Sequence, residues 1–202
     1  FAEARSAKLD AGGGLAEGYR DLRERFAFTV DPADARDFDD AISLELVASE
    51  GGKASGVFAV GSHSEKASVL SDASQQPARG GGASSGMRFV EGRAPGSVRW
   101  RLGVHIADVS HYVAWGASLD VDARRRATSV YLADRVIPML PEELSGDLCS
   151  LRPGAVRRTM TLDLYLDEAA RLVAFELYPA LIRSNARLTY DEAGRVLAGA
   201  DA

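Results

Sequence analysis

Four stretches of this chain alternate apolar and polar residues with a period of two. Ile42, Leu44 and Leu46 are interleaved with Ser43 and Glu45, and Val98, Trp100, Leu102, Val104 and Ile106 with Arg99, Arg101, Gly103, His105 and Ala107. Each pattern predicts a half-buried strand, because side chains alternate between the two faces of a sheet. Met160, Leu162, Leu164 and Leu166 alternate again, and Val173, Phe175 and Leu177 follow a turn at Asp167 to Ala170, which predicts a hairpin. The first two strands flank a long interruption. A hairpin with a greatly expanded connection is their simplest topology, since closure entropy grows slowly with loop length. Helical signals are fewer. Ser118 is placed to cap a helix over Leu119 to Ala127, and Pro141 before Glu142 and Glu143 suits the start of a short second one. Thr189 with Glu192 forms a capping box that opens a last helix within Leu188 to Ala202, with Gly199 placed to end it. The reading is an α+β fold built on antiparallel strands with flanking helices.

Composition changes the picture between Ser49 and Ser97, which hold ten of the chain's 20 Gly and ten Ser, with runs such as Gly82-Ala-Ser-Ser-Gly86. Too few apolar residues are available there to offset ordering entropy, so the stretch reads as a long disordered insertion looped out of a folded domain. Val57, Phe58 and Val60 could form a short local strand within it. With 202 residues and 46% hydrophobic content there is material for one sizeable core. The expected organisation is a lead-in segment at 1–19 and a domain at 20–202, interrupted at about 49–97. Both ends read as cuts in a longer protein, since the first residue is Phe1. No apolar run approaches the roughly 20 residues needed to cross a bilayer, so no membrane role is expected. The single cysteine, Cys149, cannot build a disulfide framework and fits a reducing, intracellular setting, the cytoplasm or an organelle of a eukaryotic source.

A net charge of −5 argues against a nucleic-acid partner when taken alone, because phosphate contact usually leaves a basic footprint. The acid is not spread evenly, however. Residues 31 to 40 hold five Asp against one Arg, in a segment that leaves one strand, passes a Pro-containing turn and enters another. In an extended chain Asp37 and Asp39 would point one way and Asp40 the other, so convergence requires the backbone to wrap around a common point. Crowded carboxylates raise each other's pKa unless a cation neutralises them. Magnesium, a hard ion that takes oxygen ligands, suits such a site, and a pair of ions about 4 Å apart can serve phosphodiester hydrolysis. The bland alternative is a calcium-binding or merely solvated acidic loop. Counting from Asp31, the sixth position is Arg36 rather than Gly and the twelfth is Ile42 rather than Glu, so the EF-hand order is absent. Spacing alone leaves a metal site of unknown purpose.

The segment Thr29-Val-Asp-Pro-Ala-Asp-Ala-Arg-Asp-Phe-Asp-Asp-Ala41 resembles the active-site signature of the RNB-domain exoribonucleases, the ribonuclease II and ribonuclease R family. Five further blocks follow in that family's order: Gly103-Val-His-Ile-Ala-Asp-Val-Ser-His-Tyr-Val113, Thr128-Ser-Val-Tyr-Leu132, Val136-Ile-Pro-Met-Leu-Pro-Glu142, Leu144-Ser-Gly-Asp-Leu-Cys-Ser-Leu151 and Ala186-Arg-Leu-Thr-Tyr190. The resemblance implies the N-terminal portion of an RNB catalytic domain. It also implies stepwise hydrolysis of single-stranded RNA from the 3′ end to nucleoside 5′-monophosphates with magnesium, two ions, manganese being an alternative. Carried over by position, Asp31, Asp37, Asp39 and Asp40 match the metal-binding aspartates, Asp39 and Asp40 being the catalytic pair, with Asp39 the least dispensable. Tyr131 matches a tyrosine that stacks near the RNA 3′-terminal nucleotide.

Several other residues invite a functional reading and receive a structural one. His105 and His111 alternate with Val104, Ile106 and Tyr112 as structural histidines would, and the resemblance assigns neither an acid–base role. Asp108 reads as a buried hydrogen-bonding carboxylate and Cys149 as a core residue. Arg124, Arg125 and Arg126 point in different directions on a helix, so they read as a solvated face. Ala127 stands where relatives usually have Gly, and the Gly/Ser-rich insertion has no counterpart in compact bacterial members. The resemblance further implies that a downstream arginine-bearing block and flanking RNA-gripping modules lie outside this stretch, so that it is inactive by itself. Two other classes compete: a non-catalytic RNA-binding or scaffold relative, and an acidic metal-buffering protein.

Overall fold

The chain is described by a computed structural model covering residues 18–35, 37–47, 86–93 and 97–199. The lead-in to residue 17, the possible strand at Val57–Val60 and most of the Gly/Ser-rich stretch lie outside the described residues. In chain order the strands are β1 (Arg20–Leu22), β2 (Phe28–Asp31), β3 (Asp40–Leu46), β4 (Arg88–Phe89), β5 (Trp100–Ala107), β6 (Val130–Tyr131), β7 (Val136–Ile137), β8 (Val156–Leu166), β9 (Leu172–Arg183) and β10 (Ala186–Thr189). Among the described residues two α-helices, α1 (Ser118–Arg126) and α2 (Tyr190–Leu197), join them, with a short 3-10 turn at Val109–His111.

All four period-two runs become strands. β3 pairs antiparallel with β5 from Asp40↔Ile106 to Leu46↔Trp100, so the long connection does close a hairpin. β8 and β9 form the second hairpin, turning where the Asp167 carboxylate accepts from the backbone N–H groups of Ala169 and Arg171. The sheet runs β1-β9-β8-β5-β3-β2-β10, with β4 on β9. It is mixed rather than purely antiparallel, because the short outer strands β1 and β10 lie parallel to β9 and β2. Arg88 and Phe89, which composition assigned to the looped-out stretch, pair with Phe175 and Ala174 of β9.

The helical readings hold in outline and shift in detail. α2 opens on the capping box, with Thr189 accepting from the Glu192 N–H and the Glu192 carboxylate reaching back to Thr189 N. α1 starts at Ser118, but Ala117 occupies the capping position and no side chain caps it; Asp120 bonds the Gly116 N–H instead, at 2.8 Å. After Pro141 the chain turns helical at Glu142 and Glu143, as expected, but widens into one π turn over Leu144–Leu148, and the Cys149 N–H returns to the Leu144 carbonyl. That turn puts Leu144 and Cys149 into one apolar cluster with Phe38, Ala41, Ala107, Leu151 and Ile182, at the end of the sheet where the aspartates lie.

Candidate functional site

Asp31 is the last residue of β2 and Asp40 the first of β3, so the strands deliver the two ends of the acidic loop. Between them the side chain of Phe38 is the pin. It is buried in the apolar cluster, while Asp37 and Asp39 on either side of it are left toward solvent. The backbone here is held from three directions. Phe38 N–H donates to Ser150 Oγ (3.2 Å), Leu151 N–H to the Phe38 carbonyl (2.7 Å), and Ala107 N–H to the Asp39 carbonyl (2.9 Å). This is the wrapping that an extended segment lacks, and it rests on bonds to the loop's own backbone that no sequence pattern marks.

The carboxylates are electrostatically coupled. Burial raises the pKa of Asp31; the nearby Thr29 hydroxyl opposes this, the charges of Asp40 and Asp37 add to it, and Arg187 opposes it again. Asp39 is also raised, first by desolvation within its recess and then by Asp37, Asp40 and Asp31 together. Asp39 is solvent-accessible, so its carboxylate faces a cleft rather than being sealed off. That cleft, of about 190 Å³, is lined by Asp37, Asp39, Val109, Ser129, Met139 and Cys149 among others. Asp31 differs: it is 7% exposed, and its Oδ2 is buried without a hydrogen-bond partner.

Tyr131, on β6, reaches the same place. It is 65% exposed, and its hydroxyl donates to Asp37 Oδ2 at 3.2 Å. Its pKa is raised, chiefly by partial burial and then by the Asp37 charge. The five residues singled out from the sequence thus occupy one neighbourhood.

The fit to a hard cation is a matter of donor chemistry. Among the described residues no three His, Cys, Asp or Glu side chains converge tightly enough to hold a metal by themselves. Mutual repulsion spreads uncompensated carboxylates, and magnesium typically takes only one or two of them, filling its octahedron with water and substrate oxygens. An all-oxygen donor set with one unpartnered buried oxygen and neighbours that penalise each other's charge suits such an ion.

The remaining candidates lie elsewhere or are already engaged. His105 is fully buried between Ser43 Oγ (3.0 Å) and Thr161 Oγ1 (2.9 Å), and burial followed by Arg25 pushes its pKa down to about 4. His111 packs edge-on against Tyr19 and Tyr112. Asp108 accepts from Tyr19 Oη (2.5 Å) and Ser110 Oγ (2.6 Å). Arg124 and Arg126 pair along α1 with Asp120 and Asp122. Burial, then the charge of Asp39, pushes the Cys149 thiol up to about 12, which leaves it protonated and inert. A larger cavity of about 700 Å³ lies away from the aspartates, and along it Arg25 pairs with Asp163 (2.7 Å), Arg20 with Glu176 (2.5 Å) and Arg101 with Glu45. Sequence reasoning missed Arg187, whose guanidinium donates to the carbonyls of Pro32 and Ala33 inside the acidic loop. It stands in the Ala186–Tyr190 block, but nothing in that block says where the side chain goes.

Known proteins share this sequence pattern and this fold. A model of the RNB domain matches residues 19–202. Ribonuclease R of Thermotoga maritima is 36% identical over 180 residues, which cover 89% of this chain and 19% of that protein. Among solved structures, RNase R of Mycoplasma genitalium, in complex with ribose-methylated single-stranded RNA, superposes with a TM-score of 0.67 at 27% identity, covering 98% of this chain and 23% of that one. Yeast Ssd1, described as a pseudonuclease, shares the fold at a TM-score of 0.59 and 16% identity, over 91% of this chain and 17% of its own. The chain therefore spans about a fifth of the length of the ribonuclease R it matches.

Proposed function

Because the chain belongs to the RNB-domain family, we propose that it supplies the metal-binding and 3′-end-holding part of an exoribonuclease that hydrolyses single-stranded RNA stepwise to nucleoside 5′-monophosphates. The observation that carries this reading is the electrostatic coupling of Asp31, Asp37, Asp39 and Asp40, with Asp37 and Asp39 lining one cleft, Asp31 Oδ2 unpartnered and Tyr131 bonded to Asp37. The four carboxylates would hold magnesium, in a pair of ions, with manganese as a substitute. Bound there, the metal supplies Lewis-acid activation of water and neutralises charge on the departing oxygen.

This chain's own residues do the positioning. Asp39 and Asp40 present their carboxylates at the open side of the loop, where an attacking water and a terminal phosphodiester could both be oriented. Asp31 anchors the site from its buried end. Tyr131 offers an exposed ring for the terminal base, and stacking holds any base because every base has a π face. Its bond to Asp37 links base position to the metal ligands, so the scissile bond is set relative to the carboxylates.

A non-catalytic relative with the same fold is the second reading, and the likeness to the pseudonuclease Ssd1 gives it weight as a fold. The aspartates argue against it, since a pure scaffold gains nothing from four mutually repelling charges. The test uses the intact protein carrying this domain, 5′-labelled single-stranded RNA and magnesium, beside Asp39→Asn. Stepwise loss of 3′ nucleotides that the variant abolishes is the expected result; RNA binding without shortening in the unaltered protein would sink the catalytic reading.

A further inference from the structure

Arg187 occupies an unusual position for a cation beside a carboxylate. β10 pairs in parallel with β2, setting Arg187 opposite Thr29 and Thr189 opposite Asp31. A guanidinium that opposes the charge of an aspartate, as Arg187 does that of Asp31, frequently pairs with it directly. Here Nη2 is taken instead by two backbone carbonyls, Pro32 at 2.7 Å and Ala33 at 2.9 Å, and the guanidinium carbon stands 4.9 Å from the centre of the Phe38 ring. Pro32 and Ala33 open the acidic loop and Phe38 stands near its end, between Asp37 and Asp39. One side chain thus grips both ends of the loop. Meanwhile Asp31 Oδ2, Thr29 Oγ1 and Arg187 Nε, at neighbouring positions of these two strands, are all buried without partners.

The geometry points to Arg187 as a positioning residue: it clamps the 32–38 loop so that Asp37 and Asp39 stay beside Asp31 and Asp40, while leaving the Asp31 carboxylate free to bind metal. This rests on the metal-dependent reading above and deepens it. An arginine bonded to Asp31 would compete with the metal; one bonded to the loop backbone tempers the local negative charge and fixes the ligand spacing. Lysine is a poor substitute, because its compact ammonium lacks the planar fork that places one nitrogen on both carbonyls while the guanidinium carbon stands over the Phe38 ring.

The experiment measures Mn²⁺ binding to the intact protein by electron paramagnetic resonance, without RNA, for the unaltered chain, Arg187→Gln and Arg187→Lys. Metal-free thermal melts and RNA shortening are followed in parallel. Removing a residue that orients metal ligands typically weakens affinity by about 10-fold or more, so both variants should show that loss while their metal-free Tm stays near the unaltered value. Wild-type Mn²⁺ affinity in either variant overturns the clamp, as does recovery by lysine alone, which would make the role one of charge. If Arg187→Gln does not fold, Arg187→Lys decides by itself, since it keeps the stem and the charge. An unaltered protein that binds Mn²⁺ but shortens no RNA defeats the exoribonuclease reading and leaves the clamp to be judged on binding.

Discussion

Asp39 sits in a desolvating recess beside three other aspartates, and the cost of ionising it there can be measured. Its raised pKa means that the folded chain holds a proton there more tightly than the unfolded chain does. Stability from this group is present at low pH and lost as pH rises through the folded value, so at neutral pH the ionised cluster opposes folding. Asp39→Asn should therefore raise the metal-free Tm, by about 2 °C once solvent screening at this accessible position is allowed for, and should abolish the rise in Tm that the proposed magnesium site predicts when the ion is added. Calorimetry with and without chelator checks both, and a lowered metal-free Tm would contradict the repulsion argument. His105 acts with the opposite sign. Its folded pKa is about 4 against an ordinary 6.5, so the unfolded chain binds the proton first, and stability is complete above 6.5 and lost as pH falls toward 4. The gap corresponds to about 3 kcal/mol. The urea midpoint should drop across that window, and His105→Gln should flatten the slope. Both aspartate spacing and histidine alternation were legible in the sequence. Arg187 and Ser150 were not, because what they bond is backbone of the acidic loop, and the backbone looks the same in every sequence.

Elements long enough to show a period were read correctly, and the errors fall on short ones. β1, β4 and β10 contain 3, 2 and 4 residues, too few for alternation to stand out, and β1 and β10 are the strands that make the sheet mixed. Helix ends were legible where a side chain does the capping, as at Thr189, and missed at Ser118, where the Asp120 carboxylate takes the nearby N–H instead. The departure at Ala127 becomes interpretable at this scale. It ends α1 in the left-handed region, with φ of 63°, a conformation that costs a residue with a Cβ about 1 kcal/mol relative to glycine. Ala127→Gly should accordingly stabilise the chain by about 1 kcal/mol, or roughly 3 °C in Tm. The substitution acts just before Thr128 to Tyr131, so an unchanged or lowered Tm would mean that this segment is held by something other than the helix end.

The whole sheet inverts the usual expectation about which face goes inward. Period two told which residues share a face: Ile42, Val104, Leu162 and Leu177 lie in one row, and Ala41, His105, Thr161 and Tyr178 in another. It could not tell which row is buried. Ser43, His105, Thr161 and Asp163 are at most 1% exposed, whereas Leu44 is 58%, Ile106 47% and Leu177 54% exposed. The polar row can be buried because its groups satisfy one another: Arg25 bonds Asp163 at 2.7 Å, Tyr178 bonds the same carboxylate at 2.5 Å, and Ser43, His105 and Thr161 form a chain. Burial of such groups is tolerable only when each is paired. The apolar row has the opposite problem, since contiguous exposed apolar surface on this scale marks a place where something else binds. The 202-residue chain by itself should therefore bind the dye ANS and self-associate as concentration rises. Leu44→Lys with Leu177→Lys should reduce both without loss of far-ultraviolet circular dichroism. The pair stands two register positions apart, on the same face, on strands separated by β5 and β8, so the two charges break the patch without touching the buried network. If the double variant instead loses its fold, the apolar row is already contributing to stability within the chain, and the exposed face is a core rather than a surface.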